Sequence, residues 1–185
     1  MLLSKMSGFA AAALLLSLGV APGPPAPAFA LESITGRTMT LQQHRGRVVV
    51  LNFWATWCPP CRTEIPWLMQ LQERFPDRLA VVGVAMDDEG RRVVAPWVER
   101  ERFLVGTARR PVTYPILLGS DAVARAYKVE SLPATFLIDR HGVEVQRIDG
   151  PFELGALETA VRALLTNDVS RPAKRRSRRP PRGGN

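Results

Sequence analysis

Two cysteines stand three positions apart in NFWATWCPPCRTEIP, the stretch that covers residues 52–66. They are Cys58 and Cys61, and the chain of 185 residues contains no other cysteine. A pair at this spacing can be a reactive dithiol, half of a metal site or a small structural disulfide loop. These three chemistries place different demands on the rest of the sequence.

A purely structural disulfide is disfavoured, because it would close a very short ring and loop-entropy stabilisation grows with loop length. A structural zinc site needs four Cys or His ligands, and only His44 and His141 remain to complete one. Neither histidine lies in a ligand pair, and we expect His44 in a loop and His141 in a hairpin turn. The reactive dithiol is therefore favoured, with no metal and no cofactor besides a redox-active Cys58–Cys61 disulfide.

The elements around the pair predict where the thiols sit. Val48–Ala55 is a continuous apolar run, rich in β-branched residues and too short for a typical helix, which indicates a strand buried on both faces. Pro59 and Pro60 suit the first turn of a helix. That helix would bear one apolar stripe and be kinked at Pro66. The stripe consists of Ile65, Leu68, Leu71 and Phe75.

A thiol at the start of a helix ionises more readily, because free backbone N–H groups and the helix dipole stabilise negative charge there. Cysteines in such motifs have pKa values of about 3.5 to 7.5, against about 8.5 for a free thiol. Only the thiolate attacks disulfides. Cys58 would therefore be the nucleophile, and the more buried Cys61, one turn later, would resolve the mixed disulfide.

The rest of the chain predicts an α/β fold, with a central mixed sheet flanked by helices on both faces. The remaining predicted strands are Leu79–Met86, Pro115–Leu118, Ala134–Asp139 and Val143–Ile148, and the remaining predicted helices are Arg91–Phe103, Asp121–Tyr127 and Leu154–Leu165. The last two strands would form a hairpin through residues 140–142, with Gly142 at its end. We expect the short helix to be capped by Ser120 or Asp121.

The first thirty residues have the pattern of an export signal. Lys5 precedes the apolar segment Gly8–Val20, which is too short to span a bilayer, and Ala28-Phe29-Ala30 fits a cleavage site. We expect cleavage after Ala30, with a retained N-terminal membrane anchor as the alternative. A domain over residues 31–168 would then lie outside the cytoplasm, where a disulfide can persist.

The formal net charge of +8 belongs to the C-terminal end of the chain. Seven basic residues and no acidic ones lie from Arg171 onward, whereas the part from Leu31 to Ser170 holds 17 basic and 17 acidic residues. We expect residues 169–185 to be a disordered basic tail. The tail could adhere weakly to anionic lipid head groups. We expect no nucleic-acid partner for an exported protein.

The stretch VVVLNFWATWCPPCRTEIP resembles the thioredoxin superfamily, and more narrowly its TlpA/ResA/CcmG-like branch of exported proteins. GRVVVLNFWATWCPPC, VVGVAMDD, SLPATFLIDRHG and the final helix follow in the order of that branch, from about Ser33 to Leu165. The resemblance implies a thioredoxin fold with a family insertion before a cis-proline. Leu132-Pro133 matches the cis-proline; the alternative is an ordinary trans proline that opens a strand.

The resemblance also implies roles for particular residues. Asn52 stands where cytosolic thioredoxins have a buried Asp, and Glu64 stands three residues after the second cysteine, as in the exported branch. We expect Glu64 to be partly buried, with a raised pKa, and to shuttle the proton of Cys61. The alternative is a solvated Glu64 paired with a nearby arginine. Catalysis would thus involve Cys58, Cys61, Glu64 and Pro133.

The substrate surface is expected around the same turn. Trp57 would be partly exposed beside the thiol rather than packed in the core, and Pro59 and Pro60 would flank it. A cis bond before Pro133 would turn the Leu132 backbone toward Cys58, where it can pair with an extended substrate strand. Trp57, Pro59, Pro60 and Leu132 are therefore the predicted substrate-binding residues.

These features favour an extracytoplasmic thiol–disulfide oxidoreductase, monomeric and acting as a reductant. The resemblance implies protein clients such as apocytochrome c thiols or copper-site assembly thiols, and re-reduction by a membrane electron donor. Two alternatives stay open at this point. One is a peroxiredoxin-like thiol peroxidase, and the other is a carrier that binds Cu(I) through the dithiol.

Overall fold

The computed structural model describes residues 23–166. The strands in this range are β1 (Ala30–Glu32), β2 (Thr38–Thr40), β3 (Val48–Trp54), β4 (Leu79–Ala85), β5 (Phe103–Val105), β6 (Ala108–Arg110), β7 (Ile116–Leu118), β8 (Ala134–Ile138) and β9 (Glu144–Asp149). The α-helices are α1 (Pro59–Arg74), α2 (Arg91–Arg100), α3 (Asp121–Ala126) and α4 (Leu154–Thr166). A short 3-10 helix covers Leu41–His44.

Five of the strands form the central sheet, in the order β7-β4-β3-β8-β9. Strand β3 pairs in parallel with β4, and β4 pairs in parallel with β7. Strand β8 runs antiparallel to both β3 and β9. The sheet is therefore mixed, as the sequence predicts, and β3 lies at its centre.

The position of β3 explains its uninterrupted apolar sequence. Every residue of the strand is buried, because successive side chains point to opposite faces and both faces are covered. Val48, Val50 and Trp54 pack in a cluster with residues of α1, α2 and α4. Val49, Leu51 and Phe53 pack in a second cluster with α3 and the N-terminal segment.

The predicted helix Arg91–Phe103 is too long at its C-terminal end. Helix α2 ends at Arg100, and Phe103 instead begins a small hairpin formed by β5 and β6. Val105 pairs with Ala108 across Gly106-Thr107, and Gly106 has φ 61°, a left-handed conformation that glycine adopts readily. The hairpin lies between β4 and Pro133, within the predicted family insertion.

A second hairpin was also absent from the predictions. Strands β1 and β2 pair in antiparallel register just before the 3-10 helix. His44 belongs to that helix rather than to a loop; it is buried and its Nδ1 lies 3.0 Å from Arg47 Nη2. The other predicted elements agree with the structure to within one or two residues, and Ser120 caps α3.

The segment Gly23–Phe29 packs against the domain. Ala26 and Phe29 are buried in the cluster that contains Phe53. The predicted cleavage after Ala30 would separate this segment from its contacts. Residues 1–22, which hold the apolar part of the predicted export signal, and residues 167–185, which include the basic tail, lie outside the described residues. Within residues 23–166, no helix is long and apolar enough to span a bilayer.

Candidate active site

The two cysteines form a disulfide at the start of α1. Cys58 is the N-cap residue, and its Sγ accepts a hydrogen bond from the Cys61 backbone N–H at 3.3 Å. Both are buried, with Cys58 3% and Cys61 0% exposed. A sulfur that already accepts an amide hydrogen at a helix N-terminus is well placed to carry negative charge once the disulfide is reduced.

The turn that leads into Cys58 is held by a carboxylate from the neighbouring strand end. Asp87 accepts hydrogen bonds from the Thr56 backbone N–H, at 3.1 Å to Oδ2 and 3.3 Å to Oδ1, and from the Thr56 hydroxyl. Both residues are buried. Asp87 was not among the predicted site residues. The sequence signal for Asp87 is its position directly after β4, because the carboxyl ends of neighbouring parallel strands meet at one edge of the sheet.

Glu64 lies one turn after Cys61, inside the protein, and is 1% exposed. Its Oε1 accepts a hydrogen bond of 2.9 Å from the Phe152 backbone N–H, and its Oε2 accepts one of 3.3 Å from Asn52 Nδ2. Asn52 Nδ2 also donates to Thr135 Oγ1 at 2.9 Å. The alternative of a solvated Glu64 paired with arginine is therefore wrong.

Burial raises the pKa of Glu64 from 4.5 to about 7, although the hydrogen bonds from Phe152 and Asn52 oppose the shift. Near neutral pH both the protonated and the ionised form of this carboxyl are therefore populated. Tyr114 is buried nearby, and its pKa is raised by burial and by the charge of Glu64. Phe152, which donates to Glu64, and Thr135, which accepts from Asn52, come from distant parts of the chain, and these contacts have no local signature in the sequence.

The Leu132-Pro133 peptide bond is cis, as expected. Pro133 is buried and precedes β8, whose first residue Ala134 pairs with Phe53 near the end of β3. Leu132 is partly buried and packs against both core clusters, one of which contains Cys58 and Cys61. Backbone pairing of Leu132 with a substrate stays a prediction.

The predicted substrate residues around the turn are exposed. Trp57 is 67% exposed, and Pro59 and Pro60 are also exposed. Trp54, three residues before Trp57, is fully buried and packs on Trp97 with ring centroids 5.2 Å apart. One tryptophan of the motif therefore belongs to the core and the other to the surface beside Cys58.

The described residues provide no set of side chains that could bind a metal ion. Among residues 23–166, no group of three or more His, Cys, Asp or Glu side chains could hold a metal ion. His141 lies in the turn between β8 and β9, as predicted.

Comparisons with known proteins agree with this geometry. Residues 22–146 match the model of the AhpC/TSA family. The chain belongs to this family. Within it, the chain is 36% identical to the thioredoxin-like protein YneN of Bacillus subtilis over 126 residues, which cover 68% of this chain and 70% of YneN.

Two further similar proteins carry names that describe thiol–disulfide chemistry. The thiol-disulfide oxidoreductase ResA of Geobacillus thermodenitrificans is 38% identical over 136 residues, 71% of each chain. A crystal structure from Chlorobium tepidum, of a protein proposed to be the thiol:disulfide interchange protein DsbE, superposes with a TM-score of 0.68 at 31% identity, over 78% of this chain and 97% of that one. The thioredoxin fold and a thiol–disulfide oxidoreductase activity are thereby shown for this AhpC/TSA family member.

Proposed function

We propose that this thiol–disulfide oxidoreductase works outside the cytoplasm and reduces disulfides in other proteins. The observation that carries the proposal is the position of Glu64, whose buried carboxyl has a pKa of about 7 and lies one helical turn after Cys61. A proton acceptor on the inner side of the pair serves the release of a client from Cys58.

The reaction begins with the reduced pair. The Cys58 thiolate attacks one sulfur of a client disulfide, so that a mixed disulfide forms and the first client thiolate leaves. Glu64 then accepts the proton of the Cys61 thiol. The Cys61 thiolate attacks Cys58 Sγ, which expels the second client thiolate and forms the Cys58–Cys61 disulfide. Two electrons pass to the client, and a dithiol donor in the membrane must return two electrons to the pair.

The substrate would lie along the exposed face of the turn. Trp57, Pro59 and Pro60 provide an apolar contact surface beside Cys58, and Leu132 before Pro133 provides backbone groups for an extended client strand. The resemblance of the CPPC stretch to the TlpA/ResA/CcmG-like branch supports clients of the apocytochrome c type, with copper-site assembly thiols as the second candidate.

A covalent trap tests this cycle. Cys61→Ser removes the resolving thiol, so the mixed disulfide between Cys58 and the client accumulates and can be identified by mass spectrometry. The matched control is Cys58→Ser, which retains a thiol but removes the nucleophile. Equal adduct yields from the two variants, or none from the first variant in a cell that makes the client, would contradict the proposed cycle.

The direction of electron flow is tested by the reduction potential of the pair. A reductant should have a potential near that of thioredoxin, about −270 mV, whereas strong oxidants lie near −120 mV. A value close to −120 mV would assign the protein to disulfide formation.

The two other functions differ in their reactions. Rapid turnover of hydrogen peroxide would favour the peroxidase. Tight Cu(I) binding without disulfide reductase activity would favour a copper carrier. The disulfide between Cys58 and Cys61 and the ResA relatives support the oxidoreductase over both.

Export is proposed to depend on the apolar segment Gly8–Val20. The monomeric state and weak adhesion of the basic tail to anionic lipid are parts of the same proposal. Deletion of Arg171–Asn185 should reduce binding to vesicles that contain anionic phospholipid and leave binding to neutral vesicles unchanged. Unchanged binding to the anionic vesicles would contradict a role for the tail at the membrane surface.

A further inference from the structure

A groove of about 450 Å³ begins at Pro59, the residue after Cys58. One wall is the first part of α1, and the other is the hairpin β5–β6 with the two residues before it. Its lining consists of Pro59, Arg62, Thr63, Glu101, Arg102, Phe103 and Arg109. The hairpin wall lies between β4 and Pro133, in the segment that the family resemblance predicts to be longer than in plain thioredoxins.

The lining is positively charged, with three arginines and one glutamate. Glu101 is already shared between two arginines, Arg62 at 3.7 Å and Arg100 at 3.9 Å. Arg102 Nη1 donates to the carbonyl oxygens of Glu99 and Glu101, and Arg109 Nη1 donates to the Arg102 carbonyl.

Those carbonyl contacts orient the guanidinium groups without neutralising them. Within residues 23–166, neither Arg102 nor Arg109 has a carboxylate within 4.0 Å. Both side chains belong to exposed residues and keep further N–H donors available. Arg62 is oriented as well, because its guanidinium lies 5.5 Å from the centroid of the Trp97 ring.

We propose that this groove binds an acidic segment of the client polypeptide, next to the disulfide that Cys58 attacks. Guanidinium groups recognise carboxylates through paired hydrogen bonds, and a positive groove repels lysine-rich clients. An extended client advances about 3.3 Å per residue, so a segment only a few residues from the reacting cysteine reaches the groove. The inference rests on the proposed reductase function and adds a charge preference among its clients.

The test compares three synthetic peptides that share one internal disulfide and differ only in the flanking residues, which are glutamates, glutamines or lysines. With the full-length reduced protein, kcat/KM for the glutamate peptide should exceed that for the lysine peptide by about three- to tenfold, from two or three exposed ion pairs. The preference should shrink as ionic strength rises. Equal rates for all three peptides at low salt would overturn the groove assignment and leave the reductase function intact, whereas reduction of none would overturn the reductase function itself.

Charge reversal provides an independent test. In Arg102→Glu/Arg109→Glu, the preference should shift toward the lysine peptide, a gain that misfolding cannot produce. Arg125→Glu is the matched control, since Arg125 is exposed on α3 and lies outside the groove. If the double variant kept the preference for the glutamate peptide, the groove would not be a site for acidic clients. The same conclusion would follow if the only property that the double variant lost were binding to anionic vesicles.

A second inference concerns the N-terminal segment and rests on separate contacts. The Glu144 backbone N–H donates to the Pro24 carbonyl at 3.3 Å, and the Ala26 N–H donates to the Gly142 carbonyl at 2.9 Å. The Tyr127 hydroxyl donates to the Pro27 carbonyl at 2.6 Å.

The side chains of this segment also belong to the core. Phe29 is buried in the cluster that holds Phe53, Tyr127 and Phe136. A cleavage after Ala30 would remove Phe29 and leave the Tyr127 hydroxyl without its acceptor. From this packing we infer that the mature domain begins at or before Gly23, on the N-terminal side of the cleavage site predicted from Ala28-Phe29-Ala30.

The full chain, expressed in a bacterium and purified from the extracytoplasmic fraction, provides the test. Mass spectrometry of the intact protein should give an N-terminus at or before Gly23. An N-terminus at Leu31 in protein that is folded and active would overturn the inference. Phe29→Ala in the full chain provides a second measurement. This substitution should lower the midpoint of thermal unfolding. The midpoint would be unchanged if the segment were absent from the mature protein.

Discussion

Asn52 and Glu64 face each other inside the protein, with Asn52 Nδ2 3.3 Å from Glu64 Oε2. The amide stabilises the ionised carboxyl, and it opposes the effect of burial on the pKa. The pKa of Glu64 is therefore a balance between desolvation, which favours the protonated form, and two hydrogen bonds, which favour the carboxylate.

Asn52→Ala should raise the pKa of Glu64 above its value of about 7, because one of these two hydrogen bonds is lost. The pKa can be measured by carbon NMR on the side-chain carboxyl. Gln72→Ala is the matched control, since it removes another amide that contacts Leu79 and Val81 rather than Glu64. A pKa that fell in Asn52→Ala would show that the amide stabilises the protonated form.

The stability of the oxidised protein should fall as pH rises between about 4.5 and 7 because of Glu64. Its carboxyl is protonated in both states below 4.5, and above 7 the folded state must hold a buried carboxylate. The difference between the two pKa values corresponds to about 3 kcal/mol of unfolding free energy, present at low pH and lost through this range. Urea unfolding across pH 4–8 measures it.

Glu64→Gln should remove most of this pH dependence, whereas Glu153→Gln, a change at an exposed residue, should retain it. The same substitution should slow the release of the client by Cys61 by about 10²-fold, if Glu64 is the proton acceptor. The release step can be followed by stopped-flow fluorescence at pH 7. A release rate equal to that of the unaltered protein would assign the proton to another acceptor.

Much of this arrangement could be predicted from the sequence, because its signals are local. The apolar run of β3, the prolines after Cys58 and the spacing of Glu64 specify a buried strand, a helix start and one helical turn. The hairpin β5–β6 was missed because FLVGTARR continues the mixed apolar and basic pattern of α2, and only Gly106 marks the turn. The buried hydrogen bonds around Glu64 depend on tertiary packing, since Phe152 lies 88 positions from Glu64 and Thr135 lies 83 positions from Asn52.

Asp87 should stabilise the turn before Cys58. Asp87→Ala leaves the buried N–H and hydroxyl of Thr56 without their acceptor, and we expect a loss of about 1–3 kcal/mol in the free energy of unfolding. Asp87→Asn keeps one acceptor oxygen and should lose less. Asp88→Ala, at the exposed neighbouring position, should change stability by less than about 0.5 kcal/mol. Similar losses for Asp87→Ala and Asp88→Ala would show that the contact with Thr56 contributes nothing.

Trp57 and Trp54 form a matched pair for separating client binding from folding. Trp57→Ala should change the free energy of unfolding by less than about 0.5 kcal/mol, since this side chain is 67% exposed. Trp54→Ala should lower it by about 3–5 kcal/mol, since Trp54 is fully buried against Trp97. If Trp57 contacts the client, Trp57→Ala should raise KM for protein disulfides, while a small disulfide such as oxidised glutathione is reduced at an unchanged rate. An unchanged KM would show that the exposed ring takes no part in binding. Client recognition would then have to come from the backbone at Leu132 and from the groove lined by Arg62, Arg102 and Arg109.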